Sequence, residues 1–173
     1  MARVLIEFGG LGEPQPVRSS EVSAYLSSVT SAPNFPTATV TALAPERTFW
    51  EKVMGIHYFI SRGNIKNEDG RHWYDIARVF EGLDRKALAD QHIVTEVMKW
   101  KERFFRAGRV DYGQVMNGQL LLLPKNFELM SALEKSMEWT STQGFFLQSL
   151  DVSAVLDRCA EIEAWVNTQP WLT

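Results

Sequence analysis

Apolar residues recur at helical spacing through most of the chain after residue 44. Between Pro45 and about Ser61 they fall on one side of a helical wheel, at Phe49, Val53, Ile56 and Ile60. Pro45 suits the first helical position, where its missing N–H is not needed. The same pattern predicts further helices at about 71–80, 84–105, 111–117, 127–139 and 151–167, the last with Asp151 as its N-cap. The chain is therefore predicted to be mainly α.

Strand-like patterns are concentrated near the N-terminus. Val4–Phe8 is a β-type run, and Thr37–Leu43 is its best candidate partner. The proline-rich region between them predicts loop, with a short helix at Ser20–Val29. Because a lone strand or hairpin is marginal in water, we expect an incomplete sheet that dimerises, pairs through its edge or exposes apolar surface. Leu120–Leu123, closed by Pro124, is predicted to be either a strand or a buried turn.

These patterns predict an α+β chain in two parts, a small β element at 1–44 and a helical domain at 45–173. Apolar residues make up 45% of the 173 positions, which is enough for a core and too many for disorder. The net charge of −3 gives no global basic field, so any phosphate binding must come from local basic residues.

The lengths of the apolar runs, the N-terminal residues and the cysteine count indicate the cellular compartment. No run approaches the roughly 18 apolar residues of a membrane span, and no export signal is evident at the N-terminus. The single cysteine, Cys159, excludes an internal disulfide and falls in a helical apolar pattern that indicates a core position. A cytoplasmic protein is expected.

Lys52 is the first candidate for chemistry. It lies about 60° from the centre of the apolar stripe of its helix, flanked by Phe49 and Ile56. A lysine at the margin of a core face is partly desolvated, which makes its ammonium a better phosphate partner. The alternative is that its stem covers apolar surface while the ammonium stays in water.

The start of the next helix is dense in functional groups. Arg71, Asp75 and Arg78 share one face, and His72 and Tyr74 add titratable or hydrogen-bonding groups. A carboxylate between two guanidiniums could hold nucleotide phosphates or be oriented towards a metal or a hydroxyl. The alternative is a surface ladder of salt bridges worth about 0.3–0.5 kcal/mol per pair.

These residues also carry a family resemblance. Leu43–Lys52, Ile56-His57 and Arg71–Ala77 resemble the late motifs of the AbiEii/AbiGii nucleotidyltransferase toxins. The resemblance continues at Lys101–Phe105, Tyr112, Gly118–Leu120, Pro124 and Glu163–Asn167. From the first of these motifs to the last, it extends over nearly the whole chain.

The resemblance implies a polymerase-β-like nucleotidyltransferase fold followed by a helical C-terminal region. On this basis 1–44 would be the end of the nucleotidyltransferase-like α/β region, with 45–173 carrying the late motifs. It implies a toxin of bacterial toxin–antitoxin and abortive-infection systems that transfers a nucleotide from an NTP to tRNA or another acceptor. Lys52 and Asp75 would match the catalytic residues, and Arg71, His72, Tyr74 and Arg78 would bind substrate.

One family feature is missing from the sequence. The Asp-x-Asp pair of the first family motif, which binds Mg²⁺ in the intact enzyme, does not occur anywhere in this chain. Glu7 is the one weak metal candidate. The chain is therefore predicted to be the C-terminal part of such an enzyme, incomplete for catalysis. The alternative is a non-catalytic module that binds a nucleotide, RNA or an AbiEi-type antitoxin. On either reading, an AbiEi-type antitoxin and a second copy of the chain are the expected protein partners.

Overall fold

A computed structural model describes residues 15–30, 35–105, 110–143 and 151–169. The chain divides into two compact units, residues 1–44 and 45–173. Among the described residues, none of the helices combines the length and apolar character needed to cross a bilayer. The mainly α prediction with a small N-terminal β element is confirmed.

The described part of the first unit is an antiparallel hairpin. Strand β1 (Val17–Ser23) pairs with β2 (Thr37–Leu43), in a register that runs from Val17 opposite Leu43 to Ser23 opposite Thr37. The prediction of a strand at Thr37–Leu43 is confirmed. Its described partner is β1, whereas the predicted strand Val4–Phe8, with Glu7, lies outside the described residues.

The predicted helix at Ser20–Val29 is wrong. Residues 20–23 belong to β1, and only Tyr25–Ser28 forms one 3-10 turn. Cross-strand pairing supplies the backbone of 20–23 with partners, and this tertiary effect outweighs weak local helix preference. The hairpin also carries apolar side chains that are exposed, among them Val17, Val22 and Val40.

The second unit contains seven described helices. They are α1 (Pro45–Arg62), α2 (Arg71–Gly82), α3 (Arg85–Leu88), α4 (Gln91–Phe104), α5 (Gly113–Met116), α6 (Phe127–Thr142) and α7 (Val152–Asn167). The predicted helices are confirmed with small shifts of their ends. The exception is the predicted single helix at 84–105, which is two helices.

Asp90 is the reason for that break. Its backbone is extended, and its side chain accepts a hydrogen bond from the His92 N–H at 2.9 Å, as an N-cap does. Capping competes with helix continuation, because the aspartate carboxylate satisfies an N–H that would otherwise need a preceding carbonyl. The apolar periodicity continues across the break and therefore conceals it.

The core of the second unit lies around α1, which packs against α2 and α4, while α2 also packs against α7. The predicted apolar face of α1 is buried at Phe49, Val53 and Ile56, and Trp50 and Trp73 are fully enclosed. Their indole N–H groups donate to the carbonyls of Leu88 at 2.8 Å and Leu122 at 2.7 Å. These buried bonds tie α1 and α2 to the rest of the unit, so the exposed edge between the two helices has a fixed geometry.

The turn that leads into α2 is held from α6. Asn67–Gly70 forms a 3-10 turn directly before Arg71. The Gly70 N–H donates to Ser136 Oγ at 2.7 Å, and the Ser136 hydroxyl lies 2.7 Å from the Lys66 carbonyl. This buried serine fixes where α2 begins, and with it the positions of the side chains of its first two turns.

Leu120–Leu123 is an irregular buried segment rather than a strand. Its N–H groups donate to side chains of α1 and α7: Leu120 to Asn167, Leu121 to His57, and both Leu122 and Leu123 to Glu163. Buried backbone without a ladder needs such partners. Of the two predicted alternatives, the strand is therefore wrong, and the segment is irregular buried structure.

Candidate functional site

Lys52 and Asp75 meet on the edge where α1 and α2 lie side by side. Lys52 Nζ donates to Asp75 Oδ2 at 2.7 Å. The side chains are 23% and 36% exposed, so the pair is reachable from solvent yet partly shielded from it. Partial burial gives this ion pair more interaction energy than one in bulk water and holds the ammonium in a defined direction. The alternative in which the Lys52 ammonium simply extends into water does not describe this geometry.

His72 is a second contact of Lys52. Its Nδ1 lies 3.5 Å from Lys52 Nζ, one turn before Asp75 on α2. Burial lowers the pKa of His72 from 6.5 to about 3, and the positive charges of Lys52, Arg71 and Lys101 add to that shift. The imidazole is therefore neutral at physiological pH. Since the ammonium can only donate, Nδ1 is the acceptor and Nε2 carries the proton.

Lys101 is a member of this site that the sequence prediction missed. It lies on α4, close enough to His72, Lys52 and Glu51 for its charge to interact with theirs. Burial lowers the pKa of Lys101, while the carboxylate of Glu51 counteracts that effect. Its ammonium also lies 4.6 Å from the centre of the Phe105 ring. The only sequence signal was its place in the Lys101–Phe105 block of the family resemblance, to which no role was assigned.

Arg47 and Glu51 form a second ion pair on α1, and Glu51 directly precedes Lys52 in the sequence. The Arg47 Nε–Glu51 Oε1 distance is 3.1 Å, and the Arg47 side chain is only 1% exposed. Glu51 in turn attracts Lys101. A buried guanidinium held in this way gives the site a rigid base, because leaving either charge unpaired would be costly.

The other predicted site residues are placed differently. Arg71 is exposed at the start of α2, where its charge acts on His72. Arg78 donates to Glu81 at 2.9 Å, and with Tyr74 it lines a separate pocket of about 140 Å³ against Asp151 and Arg158 of the α7 region. The predicted face of Arg71, Asp75 and Arg78 therefore divides: Asp75 bonds Lys52, and Arg78 bonds Glu81.

The site is suited to binding anions rather than metal ions. The positive charges of Lys52, Arg71 and Lys101 all act on the neutral His72. Within the described ranges no three His, Cys, Asp or Glu side chains are grouped so that they could hold a metal. The Asp75 carboxylate already accepts a hydrogen bond from the Lys52 ammonium. The positive charge of that ammonium opposes binding of a divalent cation there. These residues do not fit a Mg²⁺ site of their own.

One family model, described as the nucleotidyl transferase AbiEii toxin of a type IV toxin–antitoxin system, matches residues 1–159. No curated protein and no solved structure matches the chain. The matched range includes α1, α2 and α4, which carry the Lys52, Asp75 and Lys101 side chains.

Proposed function

The chain belongs to the AbiEii family of nucleotidyl transferase toxins of type IV toxin–antitoxin systems, and from this we propose that the Lys52–Asp75 edge binds the phosphates of a nucleoside triphosphate. The proposed reaction is transfer of a nucleotide from an NTP to tRNA or another acceptor in the cytoplasm. The family's place in a toxin–antitoxin system also implies an antitoxin partner.

The observation that carries this proposal is the 2.7 Å contact between Lys52 Nζ and Asp75 Oδ2. Asp75 acts as a positioning residue that orients the Lys52 ammonium towards a bound triphosphate. In the transferred group negative charge spreads over the phosphoryl oxygens, and an oriented cation stabilises it without reorganisation during the reaction.

The neighbouring cations extend this role. Arg71 and Lys101, whose charges also act on His72, provide further positive charge for the phosphates. His72 accepts from Lys52 through Nδ1, which helps to hold the ammonium and leaves its Nε2–H free to donate. Arg78 has no part in this proposal, because it bonds Glu81 at the pocket near α7.

A divalent metal is general in nucleotidyltransferases, and it would supply charge neutralisation of the triphosphate. The described residues do not fit such an ion, so the roles proposed for Lys52, Asp75 and His72 do not involve it. Glu7, outside the described residues, stays a prediction as a metal ligand.

The absence of a carboxylate cluster among the described residues favours one alternative, a module that binds NTP or RNA without catalysis. The test incubates the protein with labelled NTPs, Mg²⁺ and total tRNA, and compares Lys52→Ala and Asp75→Ala with wild type. Lys99→Ala is the matched control, because Lys99 forms a comparable 2.9 Å pair with Glu96 on the exposed face of α4.

Labelling of RNA that is lost in the Lys52 and Asp75 variants and kept in the Lys99 variant is the expected result. Equal labelling in all four proteins contradicts the site assignment. If no protein labels RNA, a thermal shift with NTP identifies the binding module, provided that the shift disappears in Lys52→Ala. An unchanged melting temperature of the wild type with every NTP and with total tRNA contradicts both functions.

A further inference from the structure

A second pocket lies towards the C-terminal end of α1, beyond the Lys52–Asp75 edge. It has a volume of about 250 Å³ and is lined by Tyr58, Phe59, Arg62, Asn64, Lys66 and Asp69. This set combines aromatic rings, two cations and a hydrogen-bonding rim, and we refer to it as the α1-end pocket. Neither the sequence prediction nor the family match assigns it a role.

The aromatic wall of the α1-end pocket is suited to a flat ligand. The rings of Tyr58 and Phe59 meet edge to face, with centroids 5.9 Å apart and planes at 74°. The guanidinium of Arg62 lies 5.7 Å from the Tyr58 ring centre and donates to its hydroxyl at 3.3 Å. Aromatic side chains beside arginine form the usual stacking surface for unpaired nucleobases.

The rim of the pocket can recognise the edge of a base. The Asn64 amide offers a donor and an acceptor, and the Lys66 ammonium offers donors. The Asp69 side chain accepts from the Lys66 N–H at 2.8 Å, which fixes its carboxyl group in place. Burial raises the pKa of Asp69. Such groups match the amino and carbonyl groups of nucleobases.

His72 connects this pocket with the phosphate site. Its ring centre lies 5.7 Å from that of Phe59, and its Nδ1 lies 3.5 Å from Lys52 Nζ. Along α1, with a rise of 1.5 Å per residue, Phe59 is about 10 Å and Arg62 about 15 Å from Lys52. The facing parts of α1 and α2 thus present the Lys52 ammonium, the neutral His72 imidazole and the Phe59 ring in succession.

We propose that the α1-end pocket binds one nucleobase of a nucleotide whose phosphate or reacting hydroxyl lies at Lys52. The inference rests on the proposed function, because it takes Lys52 as the phosphate contact. The pocket is smaller than the roughly 300–1,000 Å³ of sites for drug-sized ligands, which fits a single base rather than a whole nucleotide. The base belongs either to the NTP or to the unpaired 3′ end of the RNA acceptor.

The test uses 2-aminopurine, whose fluorescence falls when the base stacks on an aromatic ring. One arm titrates the 173-residue protein with 2-aminopurine riboside triphosphate, and the other with an RNA trinucleotide that ends in 2-aminopurine. Tyr58→Leu removes the stacking ring, and Arg62→Gln removes the exposed cation with little risk to the fold. Lys86→Gln, on the exposed side of α3, is the control with the same loss of charge, and thermal melts verify folding.

We expect the wild-type protein to quench one of the two probes, which identifies the source of the base. Removal of the ring on which a base stacks weakens binding about tenfold or more, so Tyr58→Leu should show that loss. Arg62→Gln removes the cation beside the ring and should also weaken binding, whereas Lys86→Gln should not. If Tyr58→Leu does not fold, Arg62→Gln decides the test. Quenching and affinity that are unchanged in the folded pocket variants overturn the proposal, as does the absence of quenching by the wild type.

A Lys52→Gln variant separates this proposal from the function on which it rests. If Lys52→Gln weakens binding while the pocket variants do not, the phosphate site stands and the base pocket is refuted. If the pocket variants weaken binding and Lys52→Gln does not, the base pocket is supported and the assignment of Lys52 is refuted.

Discussion

Lys52 and Asp75 lie 23 positions apart in the sequence, and their charged atoms are 2.7 Å apart in the fold. The pair is neither fully exposed nor fully buried. An ion pair of this exposure contributes little to stability, about 0.2–1 kcal/mol, because solvent screens it and ordering two side chains has an entropic cost. Its geometry is therefore better explained by a role in binding than by the stability of the fold.

A double-mutant cycle tests this explanation. We expect Lys52→Met, Asp75→Asn and the double variant to give a coupling free energy of at most about 1 kcal/mol in urea unfolding. The exposed pair Lys99–Glu96 is the reference and should couple no more strongly. A coupling of several kcal/mol would show instead that the Lys52–Asp75 pair is mainly structural.

The main features of the helical unit could be predicted because its signals are local. The periodicity of Phe49, Val53 and Ile56 fixed the buried face of α1, and the position of Lys52 on the wheel placed it at the margin of that face. The resemblance named both Lys52 and Asp75 as catalytic residues, whereas periodicity alone does not say which helices become neighbours.

Two of the features that escaped prediction depend on tertiary contacts, and a third depends on one local bond. Lys101 joins the site only because α4 packs against α1, a relationship that no pattern within residues 91–104 encodes. The serine-rich strand β1 has weak intrinsic strand preference and is defined by its pairing with Thr37–Leu43. The break at Asp90 depends on a single cap bond, which a continuous apolar pattern conceals.

His72 should make the protein less stable in acid. The pKa of His72 is about 3 in the folded chain and 6.5 ordinarily, so below pH 6.5 the unfolded state binds a proton that the folded state does not. Stability is therefore lost as the pH falls from about 6.5 towards 3, by up to about 1.4 kcal/mol per pH unit for one proton.

Urea unfolding of wild type and His72→Gln between pH 7 and pH 5 measures this effect. The variant should show a flatter dependence of the unfolding free energy on pH. A residual slope is expected from His57, whose pKa burial also lowers. Identical slopes in the two proteins would mean that His72 is not held neutral by its surroundings.

Gly70 should not tolerate a side chain. A Cβ built there would lie 2.7 Å from the backbone of Ser136 and Met137, which cannot move aside as a flexible side chain could. We expect Gly70→Ala to destabilise the protein by about 3 kcal/mol, at the upper end for overpacking, in urea unfolding. Gly55→Ala is the matched control, because a Cβ added there would meet no heavy atom within 4 Å beyond its chain neighbours and the backbone of its own helix. In the interior of α1 it should stabilise by about 0.5–1 kcal/mol. Equal effects of the two substitutions would contradict the close packing of the Asn67–Gly70 turn on α6.

Glu163 on α7 holds the buried segment that follows residue 119. Its Oε2 accepts from the N–H groups of Leu122 at 2.5 Å and Leu123 at 3.1 Å. Glu163→Ala leaves both donors without this acceptor, and each unsatisfied buried group costs about 1–3 kcal/mol. For the two groups together, the expected loss in unfolding free energy is therefore about 2–6 kcal/mol. Glu163→Gln keeps one acceptor oxygen and should lose about half as much or less.

Glu161→Ala, two residues earlier and exposed on the same helix, controls for helix propensity and should cost less than about 1 kcal/mol. A similar small cost for Glu163→Ala would show that water or another group replaces the carboxylate at Leu122 and Leu123.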